Sequence, residues 1–166
     1  MYKTISDFIE EWSFESESTL KLLSILTDES LNEKVYDSGR TLGRLAWHIT
    51  LTLGEMPVKA GLTFKAIDEN APVPEKASLI YDLYKINSDN FIEALKESWN
   101  DNSLSENVNM YDQMWTKSQI LNSLVHHQIH HRGQMTVLMR PAGLKVPGIY
   151  GPSKEEWSAM NFQPME

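Results

Sequence analysis

The 166-residue chain contains 23 acidic and 15 basic side chains, and its formal charge of −8 argues against nucleic-acid binding because it repels phosphate backbones. Because the chain has no cysteine, disulfides, a cysteine nucleophile and thiolate ligands for zinc are all excluded. The length fits a single domain over residues 1–166, and no segment approaches the ~20 apolar residues of a membrane span, so we expect a cytoplasmic protein that binds no membrane.

Four segments with helical periodicity, separated by clusters of Pro, Gly, Asn or Asp, predict an all-α bundle. The first helix should begin at residues 4–7, which resemble a capping box, and end at residues 28–30. The second should begin near Ser38 or Thr41, and Pro57 should end or kink it. Both helices carry an apolar stripe at helical spacing, and we expect that stripe to face the core.

The third helix is predicted over residues 75–98. The connection after it is long for a helical bundle, and residues 108–115 are the candidate for a short extended segment within it. A capping box at residues 116–119 should start the fourth helix, which residues 140–143 should end. A last short helix is expected to begin at residues 153–156.

The five histidines of the chain occur in two places. His48 lies on the second predicted helix, and the other four form two pairs on the fourth, His126 with His130 and His127 with His131. Residues four apart lie on one face of a helix, within reach of a common metal ion. With two imidazoles from the fourth helix and one from the second, the pattern indicates a histidine metal site.

The two histidine pairs of the fourth helix face different ways. On a helical wheel with Ile120 at zero, His127 and His131 fall within ~20° of Ile120, inside the apolar stripe, whereas His126 and His130 fall ~120° and ~80° from it on the other side. Burying two imidazoles is costly unless each nitrogen finds a partner, and a metal ion supplies one. We therefore predict that the inner pair binds a metal and that the outer pair is solvated.

Other interpretations of these residues stay open. A histidine pair four apart is also typical of a solvated helix surface or a hydrogen-bonded core pair. His48 lies ~110° from the centre of its own apolar stripe, at the border of the core. Glu55, on the same face, is either a base or acceptor beside the metal ligands or a solvated carboxylate. Trp47 and Leu51 lie opposite that stripe, which indicates either a dimer contact or cover by a loop.

Three stretches of sequence carry a resemblance to a known family. Residues 127–134 read H-x-x-x-H-R-G-Q, residues 45–49 surround the single histidine of the second helix, and the tail at 149–153 reads Ile-Tyr-Gly-Pro-Ser. Together they resemble the DinB/YfiT-like superfamily over essentially the whole chain. The resemblance implies an all-α, four-helix bundle, to which the short C-terminal helix is an addition.

The same resemblance implies that His48, His127 and His131 bind a divalent metal ion, usually zinc or nickel. Characterised relatives look like S-transferases or isomerases that use bacillithiol, mycothiol or glutathione. We therefore expect small-molecule partners, a low-molecular-weight thiol and an electrophile, and a homodimer as in relatives. Coordination to the metal would lower the pKa of the thiol, which suits a chain that has no cysteine of its own.

No side chain is predicted to be the catalytic group, which is expected to be water or a thiolate on the metal. A metal-dependent hydrolase needs the same three ligands, and so does a non-catalytic metal-binding protein in stress or regulation. Arg132 and Gln134 are expected either to orient a substrate carboxylate or amide, or to serve helix packing and the surface. Tyr150 and Trp157 are candidates for the mouth of the cleft.

Overall fold

The predicted helical bundle is present in the computed structural model, which describes residues 1–163. Within those residues, four long helices and a short one are accompanied by two strands: α1 (Ile5–Leu23), α2 (Leu42–Lys59), α3 (Ala77–Ser98), β1 (Asn107–Met110), β2 (Gln113–Thr116), α4 (Lys117–Met139) and α5 (Lys154–Trp157). α1 and α2 each pack against α3 and α4. The order around the bundle is therefore α1, α3, α2, α4, and the apolar stripes of all four helices meet in one core.

Side-chain caps fix where three of the long helices begin. Thr4 and Asp7 form a capping box at the start of α1, and Thr116 and Gln119 form one at the start of α4. Thr41 caps α2 by accepting a hydrogen bond at 3.1 Å from the backbone N–H three residues later. All three starting points agree with the sequence predictions, because each cap is a local pattern of polar side chains.

The end of α1 differs from the prediction, and α2 does not end at Pro57. α1 ends at Leu23, several residues before the predicted end at 28–30. The backbone N–H groups of Ile25 and Leu26 donate to carbonyls three residues back, and these tight turns fold Leu26 into the core. Pro57 does not end α2, which continues to Lys59. Pro57 has no N–H to donate to the carbonyl of Leu53, so the last turn of α2 has one hydrogen bond fewer.

A β-hairpin precedes α4, where the sequence indicated only a short extended segment. β1 and β2 pair antiparallel, and the two residues between them, Tyr111 and Asp112, have φ values of 52° and 62°. Positive φ at both positions is typical of a two-residue hairpin turn. The turn carries Tyr111 to the side of α2, where its hydroxyl donates to Glu55 at 3.1 Å.

The connection between α2 and α3 covers the outer face of α2. Trp47 and Leu51 are buried beneath it, and Nε1 of Trp47 donates to the carbonyl of Ala71 at 2.8 Å. Gly54 permits the close approach, because a Cβ there would lie 2.7 Å from the Cβ of Ala66. Of the two interpretations of Trp47 and Leu51, the structure shows cover by a loop, and the homodimer stays a prediction.

The short helix predicted near the C-terminus is present. α5 spans Lys154–Trp157, and the carboxylate of Glu156 ties it to the preceding segment by accepting from the backbone N–H of Gly148 at 3.0 Å. In the part of the chain that the structure describes, every helix is too short or too polar to span a bilayer.

Candidate metal centre

α2 and α4 bring three histidines together where the two helices pack. His48 comes from α2, and His127 and His131 come from α4. Nε2 of His127 lies 3.1 Å from Nε2 of His48 and 3.1 Å from Nε2 of His131. Each residue offers one ring nitrogen, and the three nitrogens all lie within 4.8 Å of one another. The residues that the sequence pointed to are therefore positioned to bind a metal ion.

The arrangement of these three nitrogens suits a shared metal ion better than hydrogen bonds among the rings. A neutral imidazole has one N–H and one lone pair, so Nε2 of His127 cannot form a good hydrogen bond with two facing nitrogens at once. Zn–N distances of about 2.0–2.1 Å in a tetrahedral site separate the ligand nitrogens by about 3.3 Å. The two spacings of 3.1 Å are close to that separation. The donor set therefore suits a divalent ion such as zinc or nickel.

Burial keeps the three imidazoles neutral at neutral pH. It lowers the pKa of His48 to about 4, assisted by the positive charges of His131, Arg40 and Arg44. Burial also lowers the pKa of His127 to about 4, and the charges of His131 and His48 add to the effect. The pKa of His131 is lowered as well, again mainly by burial. Neutral imidazole is the form that binds metals, so the site holds its donors ready at pH 7.

Gln134 fixes the orientation of one of these rings. Its Oε1 lies 2.7 Å from Nδ1 of His131, and its Nε2 lies 3.0 Å from Nε2 of His130. Because an amide oxygen only accepts, His131 carries its proton on Nδ1 and keeps the lone pair of Nε2 for a metal. The sequence predicted either substrate binding or helix packing for Gln134, and this contact to a candidate ligand is a third role.

The remaining histidines and the acidic neighbour lie outside the cluster. His126 and His130 are exposed, as the helical wheel predicted. Glu55 accepts from Nζ of Lys59 at 2.5 Å and from the hydroxyl of Tyr111, so its carboxylate is already engaged. Among residues 1–163, the group that could hold a metal consists of the three histidines without a fourth side chain. One side of a bound ion is thus left for a small molecule.

A second buried polar cluster lies beside the histidines and was missed from the sequence. Arg132 and Glu15 form an ion pair whose side chains are 3% and 4% exposed. Nη2 of Arg132 donates to the hydroxyl of Tyr150 at 2.7 Å, and that hydroxyl donates to Glu15 at 2.8 Å. Arg132 therefore serves packing, in the interior and not at the surface. Tyr150 reaches this ion pair, and Trp157 packs edge-on against Phe162.

Gln128, also missed, connects all four long helices. From α4, its Nε2 donates to the carbonyl of Ile49 on α2 at 2.9 Å. Its Oε1 accepts from Thr19 on α1 at 3.3 Å and from Tyr84 on α3 at 3.2 Å. The helical wheel held the signal, because Gln128 falls ~20° beyond Met135, at the edge of the apolar stripe. A polar residue at that place predicts a buried hydrogen-bonding centre.

Comparison with known proteins identifies close relatives. A family model described as the DinB family matches residues 1–165. YrdA from Bacillus subtilis (strain 168) is 47% identical over 163 residues, which are 98% of each chain. The crystal structure of a DinB-like protein from Bacillus cereus ATCC 10987 matches with a TM-score of 0.87 at 44% identity, covering 90% of this chain and 100% of the other. YjoA from Bacillus subtilis is a DinB-like protein whose crystal structure matches 88% of this chain and 98% of the YjoA chain. With a TM-score of 0.69 at 14% identity, this match shows the fold alone.

Proposed function

The chain belongs to the DinB family, and from this premise we propose that it is a metal-dependent transferase that joins a low-molecular-weight thiol to a small electrophile. His48, His127 and His131 would hold one divalent ion, zinc or nickel. The observation that carries the proposal is the convergence of three Nε2 atoms, with that of His127 at 3.1 Å from each of the other two. The family resemblance predicted from sequence motifs is confirmed over residues 1–165.

The chemistry of the donor set favours activation of a thiol. A bound divalent ion supplies Lewis acidity, which lowers the pKa of a thiol that enters the open position. Three neutral imidazoles leave the positive charge of the site uncancelled, and the site therefore favours an anionic nucleophile. Since the chain has no cysteine, the nucleophilic sulfur comes from a small molecule. Gln134 contributes by holding His131 with Nε2 directed at the site.

Metal content tests the site itself. We expect tag-free protein, purified without chelators and analysed by mass spectrometry, to contain about one zinc or nickel ion per chain. His127→Ala should abolish this stoichiometric binding, because it removes the nitrogen that faces the other two. His126→Ala is the matched control, since His126 is the preceding residue on α4 and is exposed. Equal loss of metal in both variants would contradict the assignment of the inner pair.

Turnover tests the transferase. Metal-loaded protein is mixed with bacillithiol, glutathione or free cysteine and with monochlorobimane as the electrophile. In this reaction a C–S bond forms and a C–Cl bond breaks, releasing chloride and the thiol proton to solvent. We expect a rate above the protein-free reaction that disappears in His127→Ala and persists in His126→Ala. Thiol-independent ester hydrolysis would favour the hydrolase instead, and one ion per chain without any turnover would favour a non-catalytic metal-binding role.

A further inference from the structure

A cavity of about 370 Å³ lies next to the candidate metal centre. It is formed by the segment before α2 and by the second half of α4, and Gln134 is part of its wall. Because Gln134 also contacts Nδ1 of His131 at 2.7 Å, the cavity and the three-histidine cluster share one side chain. A volume of this size falls within the range of roughly 300–1,000 Å³ that is typical of small-molecule sites.

Arg40 gives this cavity its charge. Of the four arginines, Arg132 and Arg140 pair with Glu15 and Glu155, whereas Arg40 and Arg44 have no acidic partner among residues 1–163, and of these two Arg40 lines the cavity. In a chain with a formal charge of −8, an unpaired guanidinium beside the site indicates an anionic ligand.

Apart from Arg40 and Gln134, the residues that line the cavity are mainly apolar. Val35, Tyr36 and Val137 border the cavity and are 67%, 65% and 58% exposed, which is unusual for three large apolar side chains next to one another. Such a lining recognises a ligand with an apolar body. A single guanidinium matches the single charge and planar fork of a carboxylate, whereas a phosphate ester with nearly two charges would call for more than one cation.

We propose that this cavity binds a small organic acid with an apolar body, and that Arg40 recognises its carboxylate. The inference rests on the proposed function, whose substrate class it names: a substrate carrying such an acid would lie against Tyr36 and Val137, beside Gln134. Arg40 determines specificity in this arrangement, and the metal ligands do not depend on it.

Binding of defined acids tests the proposal. Zinc-loaded protein is titrated by calorimetry and by two-dimensional NMR with phenylacetate, 3-phenylpropanoate and 4-phenylbutanoate, and in parallel with their neutral primary amides. We expect at least one acid to bind about tenfold more tightly than its amide and to shift the backbone signals of Tyr36 and Val137. Arg40→Gln should lower the affinity for the acid about tenfold, to that of the amide. Arg140→Gln is the matched control, and its affinity should be unchanged.

The possible outcomes separate this proposal from the proposed function. Binding of no acid in the series, equal binding of acid and amide, or an unchanged affinity in Arg40→Gln overturns the assignment of the cavity. Metal content is measured on the same samples, and Arg40→Gln should keep about one ion per chain. Protein that holds its ion but binds no acid overturns the cavity alone. Protein that holds no ion yet binds acid through Arg40 supports the cavity and overturns the metal-dependent function.

Discussion

His131 and Arg132 are neighbours on α4 and both are buried, yet their polar groups meet opposite surroundings. Arg132 finds its partners within the chain, the carboxylate of Glu15 and the hydroxyl of Tyr150. Nε2 of His131 instead faces Nε2 of His127, a group of the same kind. The opposite charges of Arg132 and Glu15 neutralise each other. The facing ring nitrogens of the histidines can all be satisfied together by a cation that they bind. The comparison distinguishes a cluster that serves the fold from one that is suited to a ligand.

The largest effect is expected from breaking the buried ion pair of Arg132 and Glu15, which we call the closed cluster. Arg132→Met leaves the buried carboxylate of Glu15 without its cation, and removing one partner of a buried ion pair lowers the free energy of unfolding by about 3–5 kcal/mol. For a chain of this length the melting temperature should fall by about 10 °C. Urea unfolding followed by circular dichroism measures the loss. Metal content of the folded variant should stay near one ion per chain, because Arg132 belongs to the other cluster.

Two further variants sharpen this test. Lys85→Met removes an exposed ion pair, with side chains of Lys85 and Asp89 that are 54% and 65% exposed, and should leave the free energy of unfolding nearly unchanged. The double variant Glu15→Met/Arg132→Met leaves no unpaired buried charge and should recover part of the loss. If Arg132→Met were no more destabilising than Lys85→Met, the closed cluster would not contribute to the fold as argued.

A smaller effect is expected from Gln134, which orients His131 in the three-histidine cluster. Gln134→Ala removes the acceptor for Nδ1–H of His131, and loss of such a partner weakens metal binding by about 10–100-fold. Gln134→Glu keeps an acceptor and should restore the affinity. Competition with a zinc-binding dye measures both. Gln113→Ala is the matched control, since Gln113 is also exposed and accepts from a ring N–H, that of Trp115 at 3.2 Å. Equal zinc affinity in all three variants would remove Gln134 from the site.

The sequence predicted those features that a single helix determines. Periodicity identified His127 and His131 as the inner pair of α4, because the face of one helix depends only on spacing. It left His48 at the border of the core, as the histidine of α2 that could supply a third ligand, and the family resemblance then supported that assignment. The structure explains the difference: His48 is half-buried where α2 meets α4, and the position of such an interface depends on how two helices pack.

Features that join distant parts of the chain were not predictable in the same way. Glu15 and Arg132 are 117 residues apart, and no local pattern pairs them. A partial signal existed, because Glu15 shares the buried face of α1 with Trp12 and Thr19. A carboxylate on that face predicts a buried cation without identifying which one. The position of Arg40 was even harder to predict from the sequence, because it depends on how an irregular segment lies against α4.

The smallest expected effect is a dependence of stability on pH in the metal-free protein. Unfolded imidazoles take up protons near their ordinary pKa of 6.5, whereas burial lowers the pKa of His48 and His127 to about 4 in the folded chain. Between these values the unfolded state binds more protons, so these residues make stability fall as pH decreases from about 6.5 to about 4. Urea midpoints of chelator-treated protein at about pH 7.5 and about pH 5 measure the slope.

Comparison with variants isolates the histidine contribution to that slope, because carboxylates also titrate over the lower part of the range. His48→Asn/His127→Asn should lose less stability than the wild type between the two pH values, whereas His126→Asn, at an exposed position, should follow the wild type. A wild-type slope equal to that of the double variant, or a shallower one, would mean that the folded cluster takes up protons as readily as the unfolded chain. The three histidines would then behave as solvated imidazoles. The contrast with the closed cluster of Arg132 and Glu15 would not hold, because it depends on the neutrality of the histidine donors.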